Sequence, residues 1–180
     1  MCVVWFHFFL AMGLTMANSS DFDSLDSAKY LYLRELSEPR DNSLRLVVQE
    51  AVVNPAGSIH SLLPKLPELE GILKGASPIE PTETCRTFEL TWKHYVGYLV
   101  TEECVGSCGQ DDDEVFTGKL FRVYTKSHFL EHLARDTGGH TEKILHYKLV
   151  CLNHLIDVAA YVPPEITQVE SVSSTLPRIQ

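Results

Sequence analysis

Residues 127–132 read Ser-His-Phe-Leu-Glu-His. On a helix, His128 and His132 are four residues apart and share a face. Two imidazoles so placed can grip a zinc ion, while the adjacent carboxylate of Glu131 can act as general base on a metal-bound water. The order His-x-x-Glu-His belongs to one class of zinc peptidases and inverts the commoner His-Glu-x-x-His. A catalytic zinc takes a third protein ligand, and the downstream carboxylates Glu142, Asp157, Glu165 and Glu170 stand at no preferred spacing. The same residues also fit a plain amphipathic helix. Phe129, Leu130 and Leu133 would form its packed face, leaving His128, Glu131, His132 and Arg135 to solvent. The plain helix is the preferred reading, with no cofactor expected. Its alternative is a small zinc hydrolase with His128 and His132 as metal ligands and Glu131 as catalytic base.

Other groups with chemical potential are sparser. Cys104-x-x-x-Cys108 has a spacing that structural zinc sites use, with Cys85, Cys151 or His94 as further ligands within conceivable reach. A disulfide between Cys104 and Cys108, or plain thiols, are the competing readings, and reduced thiols are the default for a cytoplasmic protein. Asp111-Asp112-Asp113-Glu114 lacks the spacing and glycine of an EF-hand and reads as a solvated loop. His94 falls on an apolar strand face between Trp92 and Val96 and is expected in the core with a hydrogen-bond partner. No phosphate loop, nucleophile elbow or dinucleotide fingerprint occurs.

These groups must be positioned by the elements around them, and the pattern is mostly of strands. Residues 28–36 and 44–53 alternate and are joined by a turn rich in Pro, Asp and Asn, which predicts a hairpin. Residues 18–27 read as polar and loose. The prolines and glycines of 54–84 predict loop, with short strand pieces near 58–63 and 70–74. Residues 87–103 alternate throughout, predicting one long half-buried strand bent at Gly97. Residues 118–126 form the next strand, and Ser127 caps a helix that Gly138-Gly139 stops. Residues 144–161 favour a central strand over a helix because β-branched residues and apolar faces accumulate there. From Pro163-Pro164 onward the chain reads as a frayed polar tail. The expected fold is α+β, mainly an antiparallel sheet with one principal helix at about 127–137 packed on it.

The strings "CRTFELTWKHYVGYLV", "GKLFRVYTKSHFLEHL" and "HYKLVCLNHLIDVAAYVPPEI", between Thr84 and Ile166, resemble a group of uncharacterised bacterial proteins. The resemblance implies a folded bacterial domain and carries over no functional residue.

The 180 residues fit a single domain, expected over 28–166, between an apolar extension at 1–17 and a polar tail at 167–180. The extension reads as a reading frame begun upstream of Met12 or Met16, as a signal or anchor without a positive start, or as a structural segment. It is too short and interrupted for a stable membrane span. The net charge of −9 opposes general nucleic-acid binding. Residues 115–148 run against it, with Lys119, Arg122, Lys126, Arg135, Lys143 and Lys148, so a local anion or nucleic-acid site is a further alternative. The leading expectation is a non-catalytic, acidic, intracellular protein-binding module with a basic protein partner, of the immunity or antitoxin kind. Tyr30, Tyr32 and Tyr95 would supply interface aromatics.

Overall fold

The computed structural model describes residues 19–55, 76–106, 113–139 and 143–170. The expected apolar extension, the strand pieces at 58–63 and 70–74, Cys108 and Asp111-Asp112 lie outside them. Two antiparallel sheets face each other. The first runs β1 (Tyr30–Ser37), β2 (Leu44–Val53), β4 (Thr87–Trp92), β10 (Glu165–Val169), with β3 (Ile79–Glu80) paired to the end of β2. The second runs β5 (Gly97–Glu102), β9 (His154–Ala160), β8 (Leu145–Val150), β7 (Phe121–Lys126), β6 (Val115–Thr117). Three helices are described: α1 (Ser19–Asp26), α2 (Glu103–Gly106) and α3 (His128–Asp136).

The period-2 alternation of each strand places the core. Leu44, Leu46 and Val48 of β2 stand opposite Trp92, Leu90 and Phe88 of β4, and all six point inward. From the second sheet come Phe121, Tyr147, Leu149, Ile156 and Val158. The Trp92 and Tyr147 rings meet across the two layers at 6.0 Å between centroids. The outer face of the first sheet is polar, and there the Arg45 guanidinium bridges Glu35 and Glu89.

A mainly antiparallel α+β fold is what the alternation predicts, but several boundaries differ. The stretch expected to be one strand over 87–103 is two strands in different sheets, with residues 93–96 turning the corner. His94 sits on that corner and is exposed rather than buried. Residues 144–161 are likewise a hairpin, β8 and β9, whose turn explains the apolar residues on both faces near 149–152. Asn153 in that turn donates to the Leu33 carbonyl at 3.1 Å and accepts from the Leu33 N–H at 2.9 Å, tying the turn to β1. Pro163-Pro164 begins no frayed tail. It carries the chain back to the first sheet, where Ile166 pairs opposite Leu90 in β10.

Residues 19–26 are helical rather than loose. Leu25 is fully buried, and Phe22 stacks on Phe121 at 5.2 Å. Asp26 accepts the backbone N–H groups of Lys119, Leu120 and Phe121 at 2.8–2.9 Å. Tertiary contacts therefore stabilise a short polar helix that propensity alone would leave open. With 8 residues against the 9 of α3, it makes a second helix of consequence beside the one expected at about 127–137.

Candidate functional site

The helix α3 starts where the alternation of β7 ends. Ser127 is extended, and its Oγ accepts the Leu130 N–H at 3.2 Å as an N-cap. Glu114 Oε1 accepts the His128 N–H at 2.8 Å, so a second oxygen satisfies the first turn. Phe129, Leu130 and Leu133 face the sheet and are half-buried, whereas His128, Glu131, His132 and Arg135 face solvent. Leu133 reaches Gly97 of β5, where an added Cβ would lie 3.4 Å from Leu133 Cδ2.

The two motif histidines turn to different carboxylates. His128 Nε2 lies 2.9 Å from Asp113 Oδ1, and its Nδ1 lies 3.6 Å from Glu131 Oε2. His132 Nε2 lies 3.7 Å from Asp136 Oδ2. The Asp113 carboxylate holds the His128 pKa above its ordinary value. Among the described residues, no three His, Cys, Asp or Glu groups converge as metal ligands. Cys104 is exposed, and Glu102 beside it raises its pKa, which opposes the thiolate a zinc ligand needs. Cys85 and Cys151 are buried free thiols, and neither stands with Cys104.

A constellation that sequence spacing did not reveal lies beneath α3. His146 Nδ1 is 2.9 Å from Ser127 Oγ, and His146 Nε2 is 2.8 Å from Asp157 Oδ1. Lys148 Nζ approaches the same Asp157 oxygen at 3.4 Å. Tyr124 stacks on the imidazole at 4.4 Å, and the Phe129 ring meets it edge-on at 5.1 Å. Sheet register builds the set: Lys148 pairs directly with Asp157, and His146 is one step diagonal on the same face. Because Asp157 can only accept while ionised, the consistent tautomer carries the proton on Nε2, and Ser127 donates to Nδ1.

Ser, His and Asp are the residue types of nucleophilic acyl transfer, but the order is reversed. In that chemistry the serine is served by Nε2 and the aspartate orients Nδ1. Ser127 and His146 are each only 2% exposed, and the Ser127 oxygen is already occupied in capping α3. The hydrogen-bonded chain therefore locks the helix to the sheet. The alternation of His146, Lys148 and Asp157 with apolar neighbours was the available signal. It becomes legible only once 144–161 is split into two strands.

The second sheet exposes apolar groups at its β5 edge. Leu99 is 51% and Val100 is 37% exposed on β5, which ends the strand order. Beside them, Tyr95 and Tyr98 meet edge to face at 5.1 Å and both donate to Glu38 Oε1. Tyr30, Tyr32 and Tyr95, expected as exposed aromatics, are half-buried. Exposed Tyr161 and Val162 follow β9, next to the Ala159–Gly97 pairing. At this edge Glu102 ends β5 and Glu103 follows it, whereas Asp113 and Glu114 stand beside β6 at the opposite end of the sheet, against Lys126 and the His128 N–H.

The basic stretch 115–148 is already engaged in part. Lys126 pairs with Asp113 at 3.6 Å, Lys148 pairs with Asp157, and Arg122 lies over the Phe116 ring at 4.6 Å. Among the described residues, no helix is long and apolar enough to cross a membrane. No known protein family, curated protein or solved structure matches the chain.

Proposed function

We propose that the protein is a non-catalytic, acidic, protein-binding module of the bacterial cytoplasm whose partner is basic. The observation that carries this reading is the exposed apolar edge of the second sheet, where Leu99 and Val100 stand beside the carboxylates of Glu102 and Glu103, in a chain of net charge −9. Exposed apolar groups rimmed by charge of one sign supply both contact area and selection of partner. An immunity- or antitoxin-like role, in which an acidic module covers a basic protein, is consistent with the net charge of −9.

The test is affinity capture with the wild-type chain and with the double variant Glu102→Lys, Glu103→Lys at about 0.15 M salt. A basic protein retained by the wild type and lost from the variant is the expected result. Retention indifferent to the charge reversal would contradict the proposal. So would capture confined to nucleic acid, which would instead favour an anion site on the 115–148 stretch.

A further inference from the structure

The four ends of the two sheets are not protected alike. An edge strand presents unpaired N–H and C=O groups, and natural proteins blunt such edges with bulges, charges, brevity or a covering element. The β1 edge has a bulge at Arg34, between Leu33 and Glu35, and carries both of those charges. The β10 edge carries Glu165, ion-paired to Lys93, and is contacted by α1. The β6 edge is 3 residues long and shifts register after Val115. The β5 edge is the least protected among the described residues, with one charge, Glu102, at its end and the single turn of α2 beside it. It is 6 residues long, pairs with β9 without a register shift from Gly97 to Glu102, and contains no lysine, proline or bulge. Its outward apolar residues lie on both faces, with Leu99 outside the sandwich and Val100 toward the inter-layer side.

We infer that β5 is a strand-addition site that accepts an extended basic segment of the partner, which pairs antiparallel or parallel along Gly97–Glu102. The inference rests on the reading of the chain as a binder of a basic protein and specifies where and how that protein docks. The backbone groups of β5 that point away from β9 supply affinity without sequence preference, and alternate side chains of the added strand meet Leu99 and Val100. Charge selects the occupant. Glu102 ends the strand, Glu103 follows it, and Glu38 lies behind Tyr98 at 2.9 Å from its hydroxyl. Arginine or lysine at alternate positions of the added strand would face these carboxylates, while a second copy of this acidic chain would bring like charges together.

The experiment follows amide hydrogen exchange by NMR in the full chain. The probes are short peptides alternating arginine with valine, tyrosine or leucine, and matched peptides with glutamate in place of arginine. Added arginine peptide should slow exchange at alternate residues of Gly97–Glu102 and leave β1 unchanged. The glutamate peptides should bind at least ~10-fold more weakly at low salt, with the gap closing as salt rises. Leu99→Lys, a solvent-facing change that keeps the fold, should abolish the protection. Arginine peptides that bind without protecting β5 would overturn the strand-addition site and leave the acidic-module reading intact. Absence of binding by every arginine peptide would overturn both. Protection of β5 that grows with protein concentration and needs no peptide would replace the basic partner with a second copy of the chain.

Discussion

The centre and the edge of the second sheet reverse the usual distribution of polarity. At the centre, Ser127, His146 and Asp157 are buried under α3 with Lys148 beside them. At the edge, Leu99 and Val100 stand in solvent. The buried groups satisfy one another, so their cost of leaving water is offset by hydrogen bonds whose geometry admits one placement of the helix. The exposed apolar residues have no such compensation among the described residues. Buried polarity here fixes structure, and the exposed apolar edge is where the proposed partner would dock.

Removing one member of the buried set should have the largest effect. Asp157→Ala leaves Lys148 and His146 without their shared acceptor and should cost about 3–5 kcal/mol in urea unfolding. Asp157→Asn keeps an oxygen for His146 Nε2 and should cost less. Equal urea midpoints for Asp157→Ala and the wild type would show that the centre is not the structural lock described.

Alkaline unfolding probes the burial of the same sheet's inner face. Burial pushes the Tyr147 hydroxyl and the Cys151 thiol each up to about 12. Unfolded, such groups ionise near about 10 and 8.5. The folded chain thus holds protons that the unfolded chain releases, and this contribution is complete below about pH 8.5. It is lost progressively as pH rises toward 12. Thermal midpoints that stay flat from pH 8 to 11, at about constant salt, would contradict the burial of both groups.

The smallest effect is expected on the solvent side of α3. His128→Ala with His132→Ala should leave the urea midpoint nearly unchanged at neutral pH, since both side chains are largely exposed and alanine favours helix. Wild-type protein purified without a metal-binding tag should carry no stoichiometric zinc. About one zinc per chain, lost in the double variant, would promote the hydrolase built on His128, Glu131 and His132.

Which parts were legible follows from what alternation encodes. A period of two reports which side of a strand is buried, so β2, β4 and β7 and the capped helix could be read directly. It cannot report that a strand changes sheets. Trp92 and Tyr98 share parity, and both face the same interior from opposite layers, so the pattern runs unbroken through the corner at 93–96. Parity also failed at Glu35, which shares the phase of Leu31 and Leu33. The bulge at Arg34 moves Glu35 outward and returns Leu36 to the core. The Ser127–His146–Asp157 set depends on register between β8 and β9, which no local spacing contains. The exposed state of Leu99 and Val100 depends on β5 being last in its sheet, a property of the whole topology.

The most direct test of the account is an exchange of specificity. The affinities of the wild type and of Glu102→Lys, Glu103→Lys are measured for the arginine–valine peptide and its glutamate counterpart, by fluorescence anisotropy at low salt. The wild type should prefer the arginine peptide by at least ~10-fold, and the variant should reverse that order. Equal affinities of the wild type for the two peptides, or a preference unchanged by the charge reversal, would contradict the claim that this acidic edge selects a basic partner.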